Sequence, residues 1–141
     1  MSARPNYAAK ILAPAQATLN TANANRDGST GTYQLVMSGD TASNPEGVVI
    51  EDVLVKALGQ TTAGMIRWFL STDNPGTQRK LIHETPVFAV NPNANTPTFR
   101  TKVPELVGMT FKDDNVRLHA STEKGETLMI TVQRAGCGVS S

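Results

Sequence analysis

The chain is poor in most of the residue types that carry chemistry. Its 141 residues include one cysteine, two histidines and one tryptophan, and aromatics make up 5% of the total. A single cysteine, Cys137, excludes a disulfide within the chain. It stands between Gly136 and Gly138, where an inert tail thiol and a bridge between subunits are both open. His83 and His119 are distant in sequence and have no cysteine or carboxylate at ligand spacing, so no zinc site is read. Thirteen basic and twelve acidic residues give a net charge of +1, without the basic excess that a nucleic-acid binder carries. The nearest basic cluster is Arg79-Lys80, which reads as a solvated loop.

Long apolar runs are missing too. None approaches the roughly 18–20 residues that cross a bilayer as a helix, so no membrane partner is expected. Ile11-Leu12-Ala13 falls short of a secretory core of about 7–15 apolar residues, and Lys10 and Pro14 interrupt it. The expectation is synthesis in a cytoplasm, with any export as part of a particle.

Catalytic signatures do not occur. There is no Gly-x-Ser-x-Gly elbow and no phosphate loop of the Gly-x-x-x-x-Gly-Lys-Ser/Thr form. Glu51 and Asp52 fall on opposite faces of a strand and cannot share a substrate. Asp113-Asp114-Asn115 clusters oxygens but lacks the spacing of a calcium loop, and reads as a turn. The expectation is a protein without cofactor, metal or catalytic residues.

What the chain does have is a change of texture near residue 32. Residues 1–31 are rich in Ala, Asn and Thr, and the large apolar groups weighed there are Tyr7, Ile11 and Leu12. An Ala-rich stretch over 7–13 could make two helical turns, fewer than the roughly 12–15 residues an isolated helix needs in water. The segment therefore reads as an extended arm that orders against a neighbour, with Tyr7, Ile11 and Leu12 as anchors. Arg26 to Gly31 is a turn cluster that ends it.

From residue 32 onward short strands alternate with turns: 32–37, 48–58, 65–70, 80–90, 98–103, 115–120 and 128–134. Val53, Val55 and Ala57 alternate with Asp52, Leu54 and Lys56, as in a half-buried strand, and the broken alternation before them predicts a bulge near Glu51. Ile66, Trp68 and Leu70 share one face of the next strand, with Trp68 in the core. Arg67 marks the other face as wet, which leaves Met65 and Phe69 exposed beside it. Pro86 makes 80–90 an edge strand or a pair meeting at a kink. The organisation read here is an arm over 1–31, an all-β antiparallel sandwich or jelly roll over 32–135, and a flexible tail over 136–141. The outward apolar residues Leu54, Met65 and Phe69 form a second candidate contact set beside the arm.

Two segments carry a family resemblance. One runs from Val55-Lys56-Ala57 through Thr61-Thr62-Ala63-Gly64-Met65-Ile66-Arg67-Trp68-Phe69-Leu70 to Leu81-Ile82-His83-Glu84-Thr85-Pro86-Val87. The other is Leu118-His119-Ala120-Ser121-Thr122 followed by Glu126-Thr127, and Asn25 to Thr32 precedes both. Together, over about residues 20–135, they resemble small virion structural proteins of tailed bacteriophages. The resemblance implies a virion component without catalytic residues, and among such components a capsid decoration, or cement, protein. Its partner would be the major capsid protein, with a homodimer or homotrimer at the capsid's symmetry axes as the natural form. A tail, collar or fibre-associated module, or a glycan- or receptor-binding sandwich, are the alternatives.

Overall fold

Alternating apolar residues and frequent turn formers leave a chain of strands, and strands with one apolar face must pack in pairs of sheets. The computed structural model describes residues 6–39, 41–42, 44–74 and 76–139, with the backbone alone for 6–10, 138 and 139. The strands are β1 (Asn6–Ile11), β2 (Ala15–Leu19), β3 (Gln34–Ser38), β4 (Val48–Ala57), β5 (Gly64–Ser71), β6 (Lys80–Val87), β7 (Arg100–Lys102), β8 (Thr110–Phe111), β9 (Arg117–Thr122) and β10 (Leu128–Val139). A 3-10 turn, Pro104–Leu106, stands between β7 and β8.

All pairings between these strands are antiparallel, and the strands form two sheets. In the first, β10 is flanked by β4 on one side and by β1 and β2 on the other, while β4 also pairs β7 and β8. Strands β1 and β2 are consecutive pieces of one edge: Ile11 opposes Ala135 and Ala15 opposes Val132. The break between them falls at Pro14, which cannot donate to a ladder. There the Leu12 amide donates to the Arg134 carbonyl (3.1 Å) and Arg134 Nε to the Ala13 carbonyl (3.0 Å). Likewise β7 and β8 share the opposite edge. With each broken edge counted as one position, the sheets read edge-β10-β4-edge and β3-β9-β5-β6. Among neighbouring strands only β5 and β6 form a hairpin within one sheet, and the other connections between positions cross from sheet to sheet. That is the strand order of a jelly roll, so the all-β sandwich expected from the sequence takes that form.

The core lies between the sheets. Val48, Ile50, Val53, Val55, Ala57, Ile130 and Val132 face Ile66, Trp68, Leu118 and Ala120. Trp68 is fully buried and its indole N–H donates to Thr85 Oγ1 at 3.0 Å, which satisfies the one polar atom it brings inside. The bulge falls where the pattern placed it: Gln133 opposes Asp52 and Arg134 opposes Ile50, which leaves Glu51 as the extra residue. Pro86 sits on β6, an edge strand.

Both ends of the expected organisation need correction. The arm is not separate from the body. Ala17 and Leu19 are buried in the same core, paired through β2 to Ile130 and Leu128. Alanine is small enough to lie flat against a sheet, so a strand of this composition can dock with little apolar bulk. Residues 7–11 are strand, not helix, because β10 offers them a hydrogen-bonding edge. Residues 1–5 lie outside the described part. The tail is also part of the sheet, since β10 continues to Val139, with Gly136 opposing both Val48 and Lys10. Residues 140–141 lie outside the described part.

Between β2 and β3 the chain lies across the outer face of the second sheet as a strap. The Asn23 amide donates to the Thr122 carbonyl at 2.8 Å, and Arg79 Nε donates to the Gly28 carbonyl at 2.8 Å. Gly28 has φ +77°, and a Cβ there would stand 2.1 Å from the Arg79 carbonyl oxygen. Asp27 folds the strap's turn by accepting the Ser29 and Thr30 amides, each at 3.0 Å, and the Thr30 hydroxyl at 2.6 Å. These donors, the Thr30 hydroxyl foremost, hold its carboxyl well below the usual range.

Candidate functional site

The strap changes the environment of everything beneath it. Arg67 is 2% exposed and Phe69 is fully buried. Arg67 does not mark a wet face, because it points under the strap into a carboxylate. Its Nε donates to Glu84 Oε1 at 2.9 Å, and Arg26 of the strap donates to the same oxygen at 2.6 Å. Glu123 lies 3.9 Å from the Arg67 guanidinium. The Arg26 guanidinium first, then that of Arg67, holds the Glu84 carboxyl below its ordinary value. Phe69 is covered by Tyr33, whose ring meets it edge-on at 4.9 Å, and the Arg79 guanidinium lies 4.5 Å over the Tyr33 ring. Arg67 Nη1 and Ser121 Oγ make no hydrogen bond with the described residues.

The six candidate contact residues do not form one surface. Ile11 is 90% exposed at the root of β1. Leu12, its neighbour, is half-buried against the core instead. Tyr7 opposes Gly138 through its backbone, and its side chain lies outside the described part. Leu54 is half-buried in the first sheet, opposite Thr131 and Lys102. Met65 is half-buried in the second sheet, opposite Pro86. Phe69 is the clear correction: the strap, which sequence patterning read as part of a detached arm, supplies its cover.

Two arrangements could carry function. The first is a serine–histidine contact on the outer side of the second sheet, with Ser71 Oγ 3.0 Å from His119 Nε2. The strand pattern placed His119 on a polar face, and it does lie there, but it is 6% exposed. Burial pushes its pKa down to about 4, helped by the charges of Arg79 and Arg117 and opposed by Asp73. Both partners are buried, so the pair bonds β5 to β9 and offers no hydroxyl to a substrate.

This pair has a pH consequence. A histidine that binds its proton less readily when folded makes the folded state less stable as pH falls. Its contribution is complete above the unfolded value near 6.5 and is lost towards about 4. Acidification across that window is expected to cost on the order of 3 kcal/mol. Urea titrations at pH 7 and pH 4.5 would measure it, and His119→Gln should flatten the slope. An equal slope in that variant would assign the loss to other groups. The depressed carboxyls of Glu84 and Asp73, the latter held at about 2 chiefly by the Thr77 amide, act at lower pH.

The second arrangement is at the chain ends. The pairing of β10 with β4 stops at Gly136 opposite Val48, while β1 continues alongside β10 to Asn6 opposite Val139. Past the Cys137 amide, which still donates to the Gly47 carbonyl at 2.9 Å, Asn6–Tyr7 and Gly138–Val139 continue as a two-stranded ribbon, and Ile11, opposite Ala135, is exposed on the edge strand that feeds it. Cys137 lies at the base of this ribbon, half-buried, and burial raises its thiol pKa.

Among the described residues no helix is long and apolar enough to cross a membrane, and no cluster of His, Cys, Asp or Glu could hold a metal ion. Asp113 and Asp114 instead fix a turn, by accepting the Asn115 and Thr41 amides at 2.9 Å each. No protein-family model matches the sequence, and neither does any curated protein.

Proposed function

We propose that this chain is a structural subunit of a tailed-phage particle, a capsid decoration protein that acts by binding and not by catalysis. The observation that carries the reading is the terminal ribbon. A small jelly-roll body supplies a stable platform, and its paired β1 and β10 strands run past the end of β4, with the Ile11 side chain on β1 facing solvent. The resemblance read in residues 20–135 to small virion proteins suggests the setting. On this reading the ribbon lies on the major capsid protein. The residues from Ala15 to Tyr33 stay with the body, so bridging of capsomers falls to the ribbon and to the subunit as a whole. Many copies of a modest contact would then resist the internal pressure of packaged DNA through their number.

Copy number in purified particles tests this. Hundreds of copies per particle are expected. Six or twelve would place the protein at the tail or collar, and absence from particles would overturn the reading.

A further inference from the structure

The strap is closed on itself. Asn23 Nδ2 donates to the Thr32 carbonyl at 3.0 Å, Asn25 Nδ2 to the Thr30 carbonyl at 3.2 Å, and the Tyr33 hydroxyl to Asp27 at 3.2 Å. With the turn built on Asp27, these bonds make residues 23–33 a compact loop of the Ω kind, able to move as a unit. Among the described residues it is tied to the second sheet and its loops by the Asn23 amide to Thr122, Arg26 to Glu84, the Gly28 carbonyl to Arg79, and the Tyr33 ring to Phe69 and Arg79. We infer that the strap is a cover released by acid: closed at neutral pH, it lifts off the second sheet when His119 takes up a proton, while the sandwich stays folded.

The surroundings of His119 couple its proton to these ties. His119 stands directly opposite Phe69, the residue that Tyr33 caps, and its Nε2 lies 3.0 Å from Ser71 Oγ. Ser71 in turn stands opposite Arg117, whose Nη1 donates to the Asp73 carbonyl at 2.9 Å. An imidazolium would face Arg117 on β9 and, from the loop before β6, Arg79 and Asp73. The carboxylate of Asp73 already accepts the Thr77 and Gln78 amides, at 3.0 and 3.1 Å. From β3 the opposing residue is the uncharged Leu35. Arg79 carries two of the strap's ties, so repulsion from a charged His119 falls on the strap's own anchor. Lifting the strap also admits the water that a buried imidazolium lacks.

The neighbouring carboxyls do not compete over this range. Hydrogen bonds hold those of Glu84, Asp27 and Asp73 below their ordinary values, so they stay charged. His83, opposite Trp68, belongs to the other face of the sheet. A lifted strap leaves His119 near its ordinary 6.5, whereas the closed strap holds it at about 4. The open form therefore gains as pH falls between those values, on the order of fiftyfold from pH 7.5 to pH 4.5.

The test is hydrogen exchange of the Asn23 amide in the full chain at pH 7.5 and pH 4.5, corrected for the pH dependence of free-peptide exchange. The Ile130 amide, in the central strand β10, reports global unfolding. The Asn23 opening constant is expected to rise on the order of fiftyfold, to exceed that of Ile130 at both pH values, and to lose its pH dependence in His119→Gln. A constant opening in the native chain, an opening equal to that of Ile130, or the same rise in His119→Gln would overturn the inference. Gly28→Ala decides the matter if His119→Gln does not fold. Its Cβ would stand 2.1 Å from the Arg79 carbonyl oxygen, so the strap should unseat, and the His119 pKa read from its ring protons should rise towards 6.5. A pKa unmoved by that substitution would likewise overturn the coupling. Release depends on the strap's contacts and not on residence in a particle, so it and the copy-number outcome can fail separately.

Discussion

Replacing Glu84 with alanine is expected to cost about 3 kcal/mol of stability, while Arg67→Met costs about 1 kcal/mol or less. The asymmetry follows from burial. Arg67 is 2% exposed, and among the described residues its close carboxylate is Glu84 at 2.9 Å, with Glu123 at 3.9 Å. Removing Glu84 strands a cation under the strap, where water cannot solvate it. Removing Arg67 leaves Glu84 with Arg26 at 2.6 Å and with 31% of its side chain in solvent. Methionine would also fill much of the vacated volume without the Nη1 donor that has no partner among the described residues. Denaturant midpoints of the two variants decide the matter. If Arg67→Met proved the more damaging, the pair would be holding the strap by net attraction, not merely compensating a buried charge.

Phe69→Ala should be the costliest single truncation on the outer side of the second sheet, at about 3–5 kcal/mol. A surface phenylalanine in a wet face would change stability by no more than about 0.5 kcal/mol. The difference is made by the strap, whose Tyr33 ring closes over Phe69. A double-mutant cycle between Tyr33→Ala and Phe69→Ala should show a coupling of about 0.5–1.5 kcal/mol. A coupling near zero would mean that the strap covers Phe69 without stabilising it. With an unfolding entropy of about 2 cal/mol/K per residue, the loss at Phe69 alone would lower Tm by roughly 10–17 °C.

The inner half of this fold was legible in the sequence. Val53, Val55 and Ala57 on β4, Ile66 and Trp68 on β5, and Leu118 and Ala120 on β9 alternate as a half-buried sheet requires, and each proves to be buried. The bulge at Glu51 and the edge position of Pro86 follow from the same local rules. The first thirty residues were not legible, because their docking relies on features that hydropathy does not weigh. Ala17 and Leu19 do alternate with Gln16 and Thr18, but alanine gives that pattern little amplitude. The strap is held by side-chain donors to its backbone carbonyls, such as Arg79 to Gly28, and by the shared carboxylate of Glu84. Such pairings over 51 and 58 residues of sequence leave no periodic trace. The misreading of Phe69 follows directly, since a face looks wet when its cover is assigned to another molecule. Ile11, read with Tyr7 and Leu12 as an anchor because the stretch around them is polar and alanine-rich, is solvent-exposed in the fold.

The proposed role rests on the ribbon as the attachment element, and Ile11→Asp tests it with the least disturbance to the fold. Ile11 is 90% exposed, whereas its neighbour Leu12 packs on the core and would confound the result. Leu58→Asp, at an exposed position just beyond the opposite end of β4, serves as the control. The measurement is occupancy of each variant on particles assembled without the native protein. The account predicts at least a tenfold loss of affinity for Ile11→Asp, about 1.4 kcal/mol, with Leu58→Asp unchanged. Full occupancy by Ile11→Asp would contradict it.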